Sequence, residues 1–527
     1  MQERLLENWL INVNEKSFQI PYCQLLTGEG YKVVHISRHG PFESGKDVLA
    51  IDPDGVPCAF QLKGSTGKIT QKEWGKYVEQ AVRLVEIPIV HPSIDEKLPR
   101  KVFFVTNGEL DEEVRIEITD RNRDWENRGL PPITTIVKGE LLTRFLNLHN
   151  NLWPKELIAD KNLLELYLSD GTGYLDKTKL ANFLWSILER ANATKKAEQI
   201  RSLSSLALIT EYAISPFVEK QNFVAIIEAW IIFLASITAF ITKNKIPEKN
   251  WKANFYLALE TIDRSFTDLL EELLDREYLV EGNPLVDFPF YHERITWLIG
   301  LISAYALWKK SVDKNWVEEK AYSFITANQK YIRLWGEAAI PQLLSTSWYL
   351  KSCNIEHRAS GLVDAIARGI CSTNLEPNGR GLADPYHGLG EVVINNTGLS
   401  DTLQKENFKG RSYFLESIIH LLTRWGWRGV LEELWPKITS IDFVEYKTDQ
   451  PWEFCIWHTE TGKLTVHQPK FPKSWKELQE EANEVNLSYI PKPFLDNPPI
   501  LLLFLIVYPH RITKDIIKVL DDKFASE

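Results

Sequence analysis

The chain has 527 residues, 44% of them hydrophobic and 25% charged, and a formal net charge of −10. Such a length exceeds what one hydrophobic core serves, so two or three domains are expected, and the composition excludes a disordered or fibrous chain. The acidity excludes a basic footprint spread over the whole protein, though not a local positive groove. It lies mostly downstream, since residues 1–155 hold 20 Lys+Arg against 22 Asp+Glu.

The first 155 residues alternate helix-like and strand-like stretches. MQERLLENWL opens on a charged amphipathic run without the apolar core of a signal peptide. SFQIPYCQLL predicts a helix capped by Ser17, with Pro21 in or near its first turn, ending before Gly28 and Gly30. YKVVHIS, DVLAID and CAFQLKG read as short strands, the last two joined through a turn at DPDGV. TQKEWGKYVEQAVRLVE is a helix starting at Thr70, RKVFFVTNG a buried strand, and ELDEEVRIEITDRNRDWENRG a helix. ITTIVKG is a further strand and ELLTRFLNLH a short helix, which completes an α/β layer pattern.

From about 160 to 435 the pattern is almost wholly helical, as in LDKTKLANFLWSILERAN, NWKANFYLALETIDRSFTDLLEELLD and FLESIIHLLTRWGWRGVLEELW. No strict repeat of fixed period stands out. Residues 223–242 hold Glu228 as their one charge, which suits either a bilayer span or a core helix buried on every side. The core reading is preferred because Glu228 is costly in lipid. A Gly-rich loop with Gly379, Arg380, Gly381, His387, Gly388 and Gly390 offers backbone N–H groups for a phosphate, but no P-loop. The last ninety or so residues mix a hairpin-like WEFCIWHTETGKLTVHQ, a helix SWKELQEEANEV and an apolar PPILLLFLIVY. They form either a small third domain or a part that packs back on the helices.

The five cysteines, Cys23, Cys58, Cys353, Cys371 and Cys455, are widely spaced and form no CxxC. This points to a reducing, cytoplasmic setting without a disulfide frame. Cys455, His458 and His467, like Cys353 and His357, make no recognised zinc spacing. The eighteen tryptophans are expected in cores and interfaces.

One constellation carries chemistry. Asp47 heads the first strand of the predicted hairpin, while Gln61 and Lys63 end its partner on one face. Asp47 suits an oxygen-seeking Mg²⁺ or Mn²⁺, with the Gln61 side-chain carbonyl or the Leu62 backbone carbonyl completing the shell. Lys63, a compact cation, would orient a water or stabilise the charge that develops on a phosphodiester. Arg38 and His39, with Lys46 and Lys68, are candidate nucleic-acid contacts.

The segments SFQIPYCQLLTGEGYKVV, SGKDVLA, FQLKG, VFFVTNGELDEEVR and IVKGELLTRFL come in an order and spacing that give the region a family likeness. Residues 1–145 resemble the Mrr-type branch of the PD-(D/E)XK restriction-endonuclease superfamily. The resemblance implies an α/β restriction-endonuclease-like N-terminal domain over residues 1–155. A large, mostly α-helical sensor or oligomerisation domain would follow over 156–435, then a small mixed α/β region over 436–527. It also implies a Mg²⁺- or Mn²⁺-dependent DNA endonuclease in restriction or antiviral defence, using Asp47, Gln61, Lys63 and the helix position at Gln19. That position is usually a glutamate in the family. With Gln19 there, the amide oxygen can serve instead, Glu15 or Glu43 can supply the acid, or catalysis is weak. DNA is the expected partner, with a homo-oligomer of two or more copies or a defence-system protein beside it. The alternatives are a nuclease fold that only binds nucleic acid or a partner, and a membrane-anchored effector.

Overall fold

The computed structural model describes residues 2–37, 45–95, 98–149, 157–191, 195–275, 284–313, 316, 319–377, 379–399, 403, 408–446, 448–457, 464–469 and 474–525. The chain divides into two compact units, Met1–Asp263 and Arg264–Glu527.

In the first unit α1 (Gln2–Asn12) is followed by α2 (Glu15–Gly28). Asn14, not Ser17, caps α2: its side chain accepts the Ser17 N–H at 2.9 Å. The earlier start places Pro21 beyond the first turn, inside the helix. Every residue of α2 from Phe18 to Gly28 is buried.

Next come β1 (Lys32–Ile36), β2 (Val48–Ile51), β3 (Pro57–Lys63), β4 (Lys68–Ile69) and α3 (Gln71–Glu86). They are followed by β5 (Lys101–Thr106), β6 (Glu109–Leu110), α4 (Glu112–Asn127), β7 (Ile133–Ile136) and α5 (Lys138–His149). The main sheet has the order β1-β2-β3-β5-β7. Strands β1, β2 and β3 run antiparallel and β3, β5 and β7 parallel; β4 and β6 pair separately.

Local chemistry explains the turns. Asp52 Oδ1 accepts the N–H groups of Asp54 and Val56 at 3.0 and 2.8 Å and closes the β2–β3 hairpin. Thr70 and Glu73 form a reciprocal capping box at the start of α3. All seven residues of β3 are buried, as a central strand covered on both faces must be. Trp74, Leu84, Val114, Ile118 and Trp125 of α3 and α4 pack with Ala59 and Phe104 of the sheet. Phe60, the next residue of β3, meets Tyr22 of α2.

The unit continues through α6 (Leu157–Tyr167), α7 (Lys177–Leu188), α8 (Lys196–Glu219), α9 (Phe223–Lys243) and the first half of α10 (Lys252–Asp275). Helices α6 to α9 therefore belong to the same compact unit as the α/β layer. Helix α8 packs on α2 and α5. Asn254 Nδ2 donates to Gln24 Oε1 at 2.6 Å and to Ser204 Oγ at 2.9 Å, and His149 lies 2.5 Å from Ser205 Oγ and 3.2 Å from Tyr212 Oη. Burial holds His149 neutral by lowering its pKa to about 3.

Helix α9 is long and apolar enough to cross a membrane, and 94% of its apolar window is buried inside the structure, among α7 and α8. Glu228 is buried with it, and Lys177 stands 3.3 Å away. Burial raises the carboxyl's pKa against the pull of Lys177.

The second unit holds α11 (Pro284–Val312), α12 (Glu319–Asn328), α13 (Ile340–Ser352), α14 (Glu356–Leu375) and α15 (Leu389–Asn396). After these come β8 (Arg411–Ser412), α16 (Leu415–Arg424), α17 (Arg428–Ile438), β9 (Asp442–Tyr446) and β10 (Leu464–His467). It ends with α18 (Trp475–Glu481), α19 (Lys492–Leu495), α20 (Pro498–Val507) and α21 (Lys514–Phe524). The long helix expected over FLESIIHLLTRWGWRGVLEELW breaks into α16 and α17, because Gly426 turns the chain at φ +77°. The expected hairpin across 452–468 is also different: Pro451–Cys455 is a 3₁₀ turn, and β10 pairs with β9. The C-terminal segment packs back on the helices, with α20 against α11 and α13 and α21 against α16. Asp521 fixes this, accepting from Arg424 at 2.8 Å and from the indoles of Trp425 and Trp348 at 2.8 and 3.2 Å.

A buried acid in α8 gives the first unit a pH signature. Burial pushes the Glu211 carboxyl up to about 8, whereas in the unfolded chain it ionises near about 4.3. Between these values the unfolded state binds fewer protons, so this stabilising contribution is full below the lower value and lost as pH rises towards the upper. Glu211→Gln should flatten that fall: urea midpoints of the full chain at about pH 5 and about pH 8.5 should differ less for the variant than for the parent.

Candidate functional site

The hairpin register pairs Val48 with Phe60, which leaves Asp47 just ahead of β2. Its backbone is held from three directions. The N–H donates to Phe60 O at 2.8 Å, and the carbonyl accepts from Ser37 N–H at 2.8 Å and Gln19 Nε2 at 3.1 Å. The side chain then reaches the end of β3, where Oδ2 accepts Gln61 Nε2 at 2.5 Å and the Leu62 N–H at 2.6 Å. Charge-assisted bonds of this length are the strong ones. Asp47 is 8% exposed and Gln61 2%.

Two residues on, Lys63 Nζ lies 2.9 Å from Glu15 Oε1 and 5.5 Å from the centre of the Tyr77 ring. Glu15 is the first residue of α2 and Gln19 stands one turn along, so one helix presents both to the sheet edge. Gly64 permits the approach: a Cβ there would come 2.8 Å from Glu15 N. Asn107, after β5, locks the corner. Its Oδ1 accepts the Ser65 N–H at 2.7 Å, and Nδ2 donates to Leu10 O at 2.7 Å and Val13 O at 2.9 Å.

Gln19, Asp47, Gln61, Leu62, Lys63 and Glu15 thus meet at one edge. Gln19 engages Asp47 through its donor end, as a brace for the backbone. Lys46 is buried instead of facing solvent: its pKa falls to about 8, first through desolvation and then through Arg100. Lys68 is exposed, 3.9 Å from Asp111. Arg38, His39 and Glu43 lie outside the described residues, as does His458.

The other expected sites do not form ligand sets. Among the described residues no group of three or more His, Cys, Asp or Glu converges as for a metal. The Gly-rich loop uses its N–H groups internally: Gly379 bonds Glu376 O at 2.9 Å, Gly381 Thr373 O at 3.0 Å and His387 Asp384 O at 3.0 Å. Cys455 is buried, and His467 is 3.5 Å from Glu416. Trp74, Trp230 and Trp348 are fully buried core residues.

Gln61 turns its Nε2 to Asp47 Oδ2, and its Oε1 is buried with no hydrogen-bond partner; a carboxylate with an amide oxygen is a donor pair of the kind Mg²⁺ takes, and Gln61 would have to turn its amide over to offer it. Comparison with protein-family models, with curated proteins and with solved structures returned no match.

The brace at Asn107 is open to test. Asn107→Ala strands the Ser65 N–H and the Leu10 and Val13 carbonyls, and an unsatisfied buried group costs about 1–3 kcal/mol. The urea midpoint should fall accordingly with the slope unchanged.

Proposed function

We propose that the first unit hydrolyses phosphodiester bonds in DNA, as a metal-dependent endonuclease. The observation that carries this reading is the convergence of Asp47, Gln61 and Lys63 at one sheet edge. The resemblance of residues 1–145 to Mrr-type nucleases assigns chemistry to the same three positions. Asp47 and Gln61 would hold Mg²⁺ or Mn²⁺, which supplies positive charge against the non-bridging phosphate oxygens.

The chain's own groups do the rest. Lys63, positioned by Glu15 and Tyr77, donates a hydrogen bond to the attacking water or to the oxygen on which charge develops. Gln19 and Ser37 hold the Asp47 backbone, which fixes the position of the acid beside the end of β3. Restriction or antiviral defence is the role this activity fits, with a second copy or a defence partner providing the second cut of a duplex. The helical second unit is the natural sensor, and the acidity of the chain keeps DNA at a distance until a trigger acts. The five free cysteines fit a reducing, cytoplasmic setting.

A second reading, a nuclease fold retained for binding, is favoured by the amide at Gln19 and the lack of a third acid among the described residues. Cleavage of supercoiled plasmid separates the two. The full chain should nick or linearise it with Mg²⁺ or Mn²⁺ and not with EDTA. Lys63→Ala and Asp47→Ala should each lower the rate by about 10²–10³-fold, as removal of a transition-state contact does, while DNA binding persists. A chain that binds DNA but cleaves with neither metal, indistinguishable from Lys63→Ala, would support the binding module.

A further inference from the structure

Cys353, in the second unit, differs from the other four cysteines in its surroundings. Cys23, Cys58, Cys371 and Cys455 are buried, whereas Cys353 is partly open to solvent. Burial pushes the Cys58 thiol up to about 12 and the Cys371 thiol up to about 11, and it lifts Cys455 well above the ordinary thiol range. Thiols held protonated in this way are inert, because the thiolate is the nucleophile. Access to an oxidant therefore singles out Cys353.

An amine meets this sulfur from another helix. Lys310, in the last turn of α11, places Nζ 3.5 Å from Sγ of Cys353, the residue that follows α13. Ser352 holds the ammonium there, its Oγ accepting at 3.2 Å and its carbonyl at 3.4 Å, and the centre of the Tyr349 ring lies 5.3 Å from Nζ. Burial and then the Cys353 sulfur raise the pKa of the Tyr349 hydroxyl, so it keeps its proton. Oxidation of Cys353 would thus set an electrophilic sulfur beside a nitrogen nucleophile. A sulfenic acid condenses with a neighbouring nitrogen to a sulfenamide, and 3.5 Å is within the reach of a near-attack pair.

We propose that Cys353 and Lys310 form a reversible sulfenamide crosslink in response to a hydroperoxide. The Cys353 thiolate attacks one peroxide oxygen: the S–O bond forms, the O–O bond breaks, and the hydroxide that leaves takes a proton from the Lys310 ammonium and becomes water. Sulfur gives up two electrons and the peroxide gains them. The freed amine then attacks the sulfur. The S–N bond forms, the S–O bond breaks, and the hydroxide departs with an amine proton as a second water. One thiolate, one ammonium and one hydrogen peroxide give one sulfenamide and two waters, with no further oxidant. The bond ties the end of α11 to the junction of α13 and α14 across 43 positions of the chain. Two equivalents of a small thiol return the cysteine and the amine and leave as a disulfide, so a reducing setting resets the bond. This inference stands on the second unit alone and is independent of the nuclease reading.

The experiment treats the full chain with a slight excess of hydrogen peroxide, alkylates the remaining thiols under denaturing conditions and maps the tryptic peptides by mass spectrometry. Expected is the Lys310 peptide joined to the Cys353 peptide, two hydrogens lighter than their sum, present only after peroxide and lost on treatment with dithiothreitol. The four buried cysteines should be recovered alkylated. Lys310→Met should lose the link and leave Cys353 as a sulfenic acid that dimedone traps. A parent chain in which Cys353 remains an unlinked thiol, or is found as sulfenic or sulfinic acid without the link, would overturn the proposal. So would equal linking in the urea-unfolded chain, since the fold would then have no part in it. Both comparisons use the parent sequence and hold even if the Lys310 variant does not fold.

Discussion

From Phe18 to Gly28 every residue of α2 is buried, so the helix needs cover around its whole circumference, and the first unit is arranged to supply it. Sheet residues such as Phe60 cover one part through Tyr22. Helix α8 covers another, tied through the Gln24, Asn254 and Ser204 hydrogen bonds. The α/β layer and the helices up to Asp263 therefore belong to one compact unit. The same burial sets the pose of the two α2 residues that reach the sheet edge, Glu15 and Gln19.

At that edge the geometry comes mostly from backbone. Asp47 is the residue at which β1, β3 and α2 are pinned together, by Ser37, Phe60 and Gln19. Its carboxylate inherits that precision, and so does the end of β3 through Leu62 N–H. Lys63 is held in turn by an ion pair and by the face of Tyr77, which shields an amine that is only 6% exposed. Asn107 binds both the loop ahead of α2 and the turn after β3. A single buried amide thereby keeps Glu15 and Lys63 in register.

The second unit builds a polar interior of its own. Arg511 is 1% exposed, with its guanidinium 3.7 Å from the centre of the Tyr446 ring and hydrogen bonds to the carbonyls of Ile456 and Trp457. Glu337 accepts from Ser412 Oγ and Tyr413 N–H, and burial lifts its pKa to about 8. Such groups are tolerated because most of their donors and acceptors are paired, with Arg511 Nε a buried exception. Asp521 also explains why residues 436–525 do not stand apart: its partners Trp348, Arg424 and Trp425 lie far back along the chain.

What the sequence by itself determined was local. Asp52 with the DPDGV turn, the Thr70 capping box and the alternation that puts Gln61 and Lys63 on one face are short-range chemistry, and the strands and helices around them follow the pattern. Even there one residue misled: Ser17 carries a capping side chain, but Asn14 takes the role because the helix begins a turn earlier. Tertiary structure alone decided the rest. The end to which Gln61 turns its amide, the Glu15–Lys63 pair, the three-way grip of Asn107 and the burial of α9 depend on atoms brought together from distant segments. Hydropathy could not distinguish a membrane span from a core helix, because both remove apolar side chains from water; what covers the helix is settled only when the chain packs.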